Sequence, residues 1–131
     1  MKLSSASRHA VCALAYLAGR PAGACERRRD IARASGMPDA YLMKILSHLA
    51  RAGLLYAARG PGGGYGLARP AREITLLAII EAAEGPIGGA AMAGGGATAL
   101  DRRLQAVCDG AAELLRERLA EVTLAKLAGK K

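Results

Sequence analysis

Residues 31–67 read IARASGMPDAYLMKILSHLARAGLLYAARGPGGGYGL, and the fold follows from how this stretch divides. Leu42, Ile45, Leu46 and Leu49 recur at i, i+3, i+4 and i+7, one buried stripe of a helix. The opposite face carries Asp39, Ala40, Tyr41, Lys44, Ser47, His48 and Arg51, a polar and partly basic surface. Pro38 suits the first turn of that helix, where a missing N–H costs nothing, and Gly53 suits its C-terminal end. Gly36 sits at the corner between this helix and a shorter one before it, the arrangement of a helix-turn-helix.

By itself the stripe describes any amphipathic surface helix. The residues after it are more selective. Leu54 to Arg59 and Gly64 to Ala68 form two short strand-like runs around Gly60-Pro61-Gly62-Gly63, a turn of residues that accept or pre-set a bend. A helix-turn-helix followed at once by a hairpin is the order of a winged helix. Arg59 at the base of the turn is placed for a narrow minor groove or a phosphate. Gly62 and Gly63 would let the wing backbone approach a sugar-phosphate chain.

Working outward, residues 1–19 predict a first helix, with Ser4 or Ser5 near its N-cap and Ala10, Val11, Leu14, Leu17 and Ala18 on one stripe. Glu26 to Ser35 predicts a second helix opening on Arg27, Arg28 and Arg29. One of these, Arg28, is assigned to a DNA phosphate, because this helix crosses the backbone in helix-turn-helix docking. Beyond the wing, Thr75 caps a helix over Leu76–Glu84 that Gly85-Pro86 ends. Gly85 to Ala99 has no charge and no period, and reads as a linker. Thr98 and Asp101 form a capping-box pattern before a long helix. The stripe of that helix is Leu104, Val107, Cys108, Ala111, Leu115, Leu119 and Val122. A long helix after a small domain has little of its own chain to pack on, so this face predicts a second subunit. Thr123–Leu127 reads as a last short helical turn.

These pieces carry a resemblance. The Tyr41-Leu42 pair, Lys44-Ile45-Leu46, Leu49, Ala52-Gly53-Leu54, Arg59-Gly60, Gly63-Gly64-Tyr65, Ile74-Thr75-Leu76 and Glu84-Gly85 resemble the IscR/NsrR/CymR family of bacterial winged-helix regulators, the Rrf-two family. The likeness extends over nearly the whole chain except the loop at 85–100. It implies a homodimeric, sequence-specific DNA-binding transcriptional regulator, a repressor, with double-stranded DNA as partner. It also implies roles: Arg8 on the DNA backbone, Pro38 and Ala40 against base edges, and Tyr41 and Lys44 on bases or nearby phosphates. Ser47, His48 and Arg51 complete the groove-facing set, and Arg59 reads the minor groove. Family members often carry Ser or Gln where Ala40 and Lys44 stand, so their operator sequence does not transfer.

The expected architecture is mostly α with a small β-hairpin wing. It comprises a winged helix-turn-helix domain at 1–84, a Gly/Ala linker loop at 85–99, and a dimerisation helix with tail at 100–131. Composition agrees. The net charge of +8 is uneven: residues 1–72 hold 12 Lys and Arg against 3 Asp and Glu, and residues 73–131 hold 7 against 8. A basic front half suits a polyanion and a neutral rear half suits protein. No basic amphipathic helix with bulky anchors is present to favour a membrane surface. No segment is apolar enough to span a bilayer, and Arg8, His9, Arg20 and Pro21 interrupt any signal-peptide pattern, so a cytoplasmic protein is expected.

Three cysteines, at 12, 25 and 108, form no CxxC motif. Many relatives hold an iron–sulfur cluster through three cysteines in the loop before the long helix. Here that loop has no Cys, His, Asp or Glu, so no cofactor is expected. Cys12 and Cys25 are candidate redox thiols, Cys25 because three arginines stand beside it. An enzyme is not expected: GPGGGYG lacks the Gly-Lys-Ser/Thr ending of a nucleotide loop and opens into a strand rather than a helix. Two alternatives stand beside the regulator reading. One is a thiol- or partner-responsive sensor of the same family acting through Cys12 or Cys25. The other is a protein-interaction module, without DNA, built around the long helix.

Overall fold

A computed structural model describes residues 2–88 and 98–129. In chain order the elements are α1 (Ser5–Ala18), α2 (Arg28–Ser35), α3 (Asp39–Arg51), β1 (Leu55–Ala58), β2 (Gly64–Leu67), a 3-10 turn (Ala71–Glu73), α4 (Leu76–Glu84), α5 (Ala99–Ala120) and α6 (Leu124–Leu127). The expected mostly helical winged-helix architecture is present.

Polar caps set the helix limits. Ser4 Oγ accepts the Ser7 N–H at 3.1 Å and starts α1. Thr75 does the same for Ala78 at 3.1 Å and starts α4. The Thr98–Asp101 capping box forms reciprocally at the head of α5. Each cap satisfies helix N–H groups that would otherwise lack a partner.

The core is aliphatic. Leu14, Ile31, Leu42, Leu46, Leu49, Leu54, Ile74, Ile79 and Leu124 are fully buried, and α1 and α3 present their predicted stripes inward, Val11 only partly buried. On α1 the small residues Ala10 and Ala13 are also buried, which lets the neighbouring helices approach closely. Among the described residues Ser7 is the one buried polar core residue; its hydroxyl donates to Glu84 on α4, so it is not left unpaired in the apolar interior.

Two features depart from the sequence reading. Glu26 is not helical: its N–H donates to the Tyr65 carbonyl at 2.9 Å and its carbonyl accepts the Tyr65 N–H at 2.8 Å. Arg27 then takes the extended backbone of an N-cap, so α2 begins two residues later than expected. The wing is thereby bridged to the helix-turn-helix through Glu26–Tyr65 as well as by its own register, Leu55 with Leu67 through Ala58 with Gly64.

The second departure is at the tail. Thr75 and Thr123 form a bridge; the Leu76 N–H donates to the Val122 carbonyl and the Leu124 N–H to the Ile74 carbonyl, both at 2.8 Å. Leu124 is completely buried. The α6 segment is therefore part of the winged-helix core, not an appendage of the long helix. Most of the Gly/Ala stretch read as a linker, residues 89–97, lies outside the described residues, as do Lys130 and Lys131.

Candidate nucleic-acid interface

The second helix of the helix-turn-helix, α3, turns Pro38, Asp39, Ala40, Met43, Lys44, Ser47 and Arg51 to solvent while Leu42, Ile45, Leu46 and Leu49 are buried. Ala40, Lys44, Ser47 and Arg51 stand three to four residues apart, so one continuous stripe of the helix is exposed. Met43 was absent from the predicted set, yet it is 47% exposed beside Lys44. Its signal in the sequence was available: it lies outside the i, i+3, i+4 apolar stripe, so an exposed methionine here needs a reason other than the core.

Two predicted contacts are engaged within the chain. The Arg28 Nε donates to Asp39 Oδ1 at 2.8 Å, joining the start of α2 to the start of α3. That hydrogen bond, and then the charge of Asp39, hold the Arg28 guanidinium further on its protonated side. Arg27 and Arg29 are exposed and make no ion pair among the described residues, so they are the members of the triplet left open to a phosphate. Tyr41 is half-buried, its hydroxyl 3.0 Å from Nδ1 of His9 on α1, with the rings edge to face at 5.2 Å. His48 is also half-buried on the last turn of α3.

The wing tip is built for close approach. The Gly63 N–H donates to the Gly60 carbonyl at 2.9 Å, with Pro61 second in the turn and Gly62 third at φ 77°, the requirements of a type II turn. Arg59 precedes it, exposed and without an ion pair among the described residues, as are Arg8, Lys44 and Arg51. At Gly64 a Cβ would fall 2.3 Å from the Glu26 carbonyl oxygen, so the bridge anchoring the wing requires glycine.

On α5 the free apolar edge differs from the predicted stripe. Leu100, Leu104, Val107 and Leu114 are 69%, 42%, 69% and 69% exposed, and with exposed Ala111 they alternate four and three residues apart, the a/d seam of a paired helix. Leu119, assigned to dimerisation from the sequence, is only 8% exposed. It belongs to the subunit core, because the end of α5 packs on α4, where Arg116 also pairs with Glu81. Leu115 and Cys108 are half-buried, and Cys12 is exposed. The Cys25 thiol donates to the Tyr56 hydroxyl at 3.5 Å. This contact, and then burial, raise the Tyr56 pKa.

With this geometry in place, comparison with known proteins is informative. A family model described as Rrf2, iron-dependent transcriptional regulator, matches residues 3–130. An HTH-type transcriptional regulator of Mycobacterium tuberculosis is 33% identical over 132 residues, covering 98% of this chain and 82% of its own. The HTH-type transcriptional regulator IscR of Cereibacter sphaeroides is 41% identical over 86 residues, 64% of this chain and 56% of its own. Among solved structures, CymR, the global cysteine regulator of B. subtilis, matches with TM-score 0.78 at 27% identity, over 98% of this chain and 97% of that one. IscR of T. potens matches with TM-score 0.74 at 28% identity, over 97% and 85%. These relatives are regulators, not enzymes.

The family description raises the question of iron, and the donor set answers it poorly. Residues 85–100 contain no Cys, His, Asp or Glu. Among the described residues no three such side chains gather closely enough to hold a metal ion. An iron centre held from that loop does not fit this chain. No helix among the described residues is long and apolar enough to cross a membrane.

Proposed function

The chain belongs to the Rrf2 family of transcriptional regulators, and on that premise we propose that it is a homodimeric, sequence-specific repressor that binds DNA without a metal cofactor. Each subunit places Pro38 to Arg51 in a major groove, with Met43 and Lys44 at base edges and Ser47 and Arg51 toward the backbone. Arg59 and the Gly62–Gly63 tip enter the flanking minor groove, and Arg8, Arg27 and Arg29 meet phosphates. The observation that carries this reading is the exposed, ion-pair-free row of Lys44, Arg51 and Arg59 on one helix and the wing beside it. Unpaired guanidinium and ammonium groups on a polar face are what a polyanion replaces counterions for.

Pairing runs along Leu100, Leu104, Val107, Ala111 and Leu114, which a second copy covers. Two-fold pairing predicts a palindromic operator with half-sites about one helical turn, or a small multiple, apart. The repressor role rests on the resemblance set out above, and a DNA partner fits a cytoplasmic protein.

The test is duplex affinity against salt. The logarithm of the binding constant should fall linearly with that of salt concentration, with a slope of about −0.9 per phosphate contacted. Lys44→Ala and Arg59→Ala should each weaken binding while leaving the dimer intact. A flat salt response, or unchanged affinity in both variants, rejects the interface. An anaerobically purified sample that is brown and contains iron rejects the cofactor-free reading. Oxidant-dependent DNA affinity together with a disulfide would favour the Cys12 or Cys25 sensor instead.

A further inference from the structure

We propose that the cleft between the end of α1, the Pro21–Ala24 turn and the base of the wing binds a small carboxylic acid with an apolar body. The cleft has a volume of about 520 Å³, within the range of small-molecule sites. Its floor is hydrocarbon: Leu17 and Ala125 are buried and Leu67 is half-buried. Its rim carries Arg20, Arg69 and Arg72, and no acidic side chain lines it.

What separates these three arginines from the exposed ones on α3 and the wing is that they line a single cleft with an apolar floor. Arg28, Arg116 and Arg118 each donate a hydrogen bond to a carboxylate. At the cleft none does. Arg20 and Arg72 are held only in loose ion pairs, with Glu26 at 3.7 Å and Glu73 at 3.9 Å, both beyond hydrogen-bond length. Arg20 also lies over the Tyr16 ring, 5.8 Å from its centre, an arrangement that leaves edge N–H donors free. Arg69, whose guanidinium rests over the Gly53 turn, has no ion pair among the described residues. Three guanidinium groups above an apolar floor, Arg69 unpaired and the other two loosely paired, give the cleft a net positive field, and a guanidinium receives a carboxylate through two parallel hydrogen bonds.

The floor narrows the class. A bare inorganic anion would leave Leu17, Leu67 and Ala125 without contact, and a neutral apolar molecule would leave the guanidinium donors unmatched. The cleft lies at the Leu55–Leu67 end of the hairpin, the far end from the tip beyond Ala58–Gly64. Its occupation therefore does not require the DNA-binding reading to hold.

The experiment is methyl and amide NMR titration of the whole protein at fixed ionic strength with four separate probes: octanoate, 1-octanol, inorganic phosphate and a short DNA duplex. Octanoate should bind saturably, with shifts centred on Leu17, Leu67 and Ala125. 1-Octanol and phosphate should each bind about tenfold or more weakly. Arg69→Ala combined with Arg72→Ala should weaken octanoate about tenfold, and Arg103→Ala, a control on the α5 surface, should not. Shifts centred on Leu100–Leu114, equal binding of 1-octanol, or no saturable binding overturn the proposal. So does displacement of these methyl signals by the duplex rather than by octanoate. Mapping on the unmodified protein decides the matter even if the arginine variants fold poorly.

Discussion

Nδ1 of His9 lies 3.0 Å from the Tyr41 hydroxyl, so α1 grips α3 through a side-chain pair directly behind the exposed row. Tyr41→Phe keeps the ring contact and removes the hydrogen bond. It should cost about 1 kcal/mol of stability, lowering the Tm by about 3 to 8 °C for a chain of this size. Operator affinity should fall as α3 loses its fixed orientation. Thermal unfolding and a duplex titration check both effects, and an unchanged Tm would mean that the pair is idle.

Gly64→Ala should be far more damaging than its chemistry suggests. The new methyl would meet the Glu26 carbonyl oxygen, a backbone atom that cannot swing aside. The Glu26–Tyr65 bridge must then open, freeing the wing from α2. The expected outcome is a folded protein with weaker protection of the Tyr65 and Glu26 amides in hydrogen exchange, and loss of specific DNA binding. Native protection at both amides would contradict the steric argument.

On α5 two leucines should behave oppositely. Leu104→Glu together with Val107→Glu should yield a folded monomer by sedimentation velocity, because both side chains are open to solvent in the single chain. Leu119→Ala should instead destabilise the subunit by about 2 to 5 kcal/mol, the usual cost of emptying a buried leucine site. A dimer that survives the double charge substitution would locate the interface elsewhere.

Glu84 supplies a pH signature. Hydrogen bonds from Ser7, and then from Ser4, hold its carboxyl below the ordinary carboxylate range. A depressed folded pKa gives stability that is present above the unfolded pKa and lost as pH falls through the folded one. Ser7→Ala should therefore be less stable than the parent at neutral pH, and the difference should shrink below about pH 4, where carboxylates protonate. Urea unfolding at neutral and acidic pH measures this directly, and a difference independent of pH would mean that Ser7 acts through packing alone.

Much of this was legible in the sequence because it is local. Caps at Ser4, Thr75 and Thr98, the α3 stripe and the glycine turn all depend on residues within a few positions of one another, and each formed. What was missed depends on distant partners. Glu26 reads as helical by its neighbours, but its backbone finds Tyr65. Arg28 reads as free, but Asp39 of the next helix takes it. Leu119 reads as part of one long apolar face because periodicity cannot say where α4 stops covering it; the free seam shifts to Leu100, Leu104, Val107 and Leu114. Met43 lies off the i, i+3, i+4 apolar stripe, so its outward position was legible, and its 47% exposure agrees.

The return of the chain through Val122 and Leu124 has a consequence for biosynthesis. A nascent polypeptide that has emerged only as far as Glu84 lacks the leucine that fills the space under α1 and the backbone partners of Ile74 and Leu76. It holds every residue of the proposed DNA-binding surface but not the plug that sets them in place. A stop codon anywhere before Leu124 thus removes that plug, and a fragment ending at residue 84 should emerge loosely folded and prone to proteolysis.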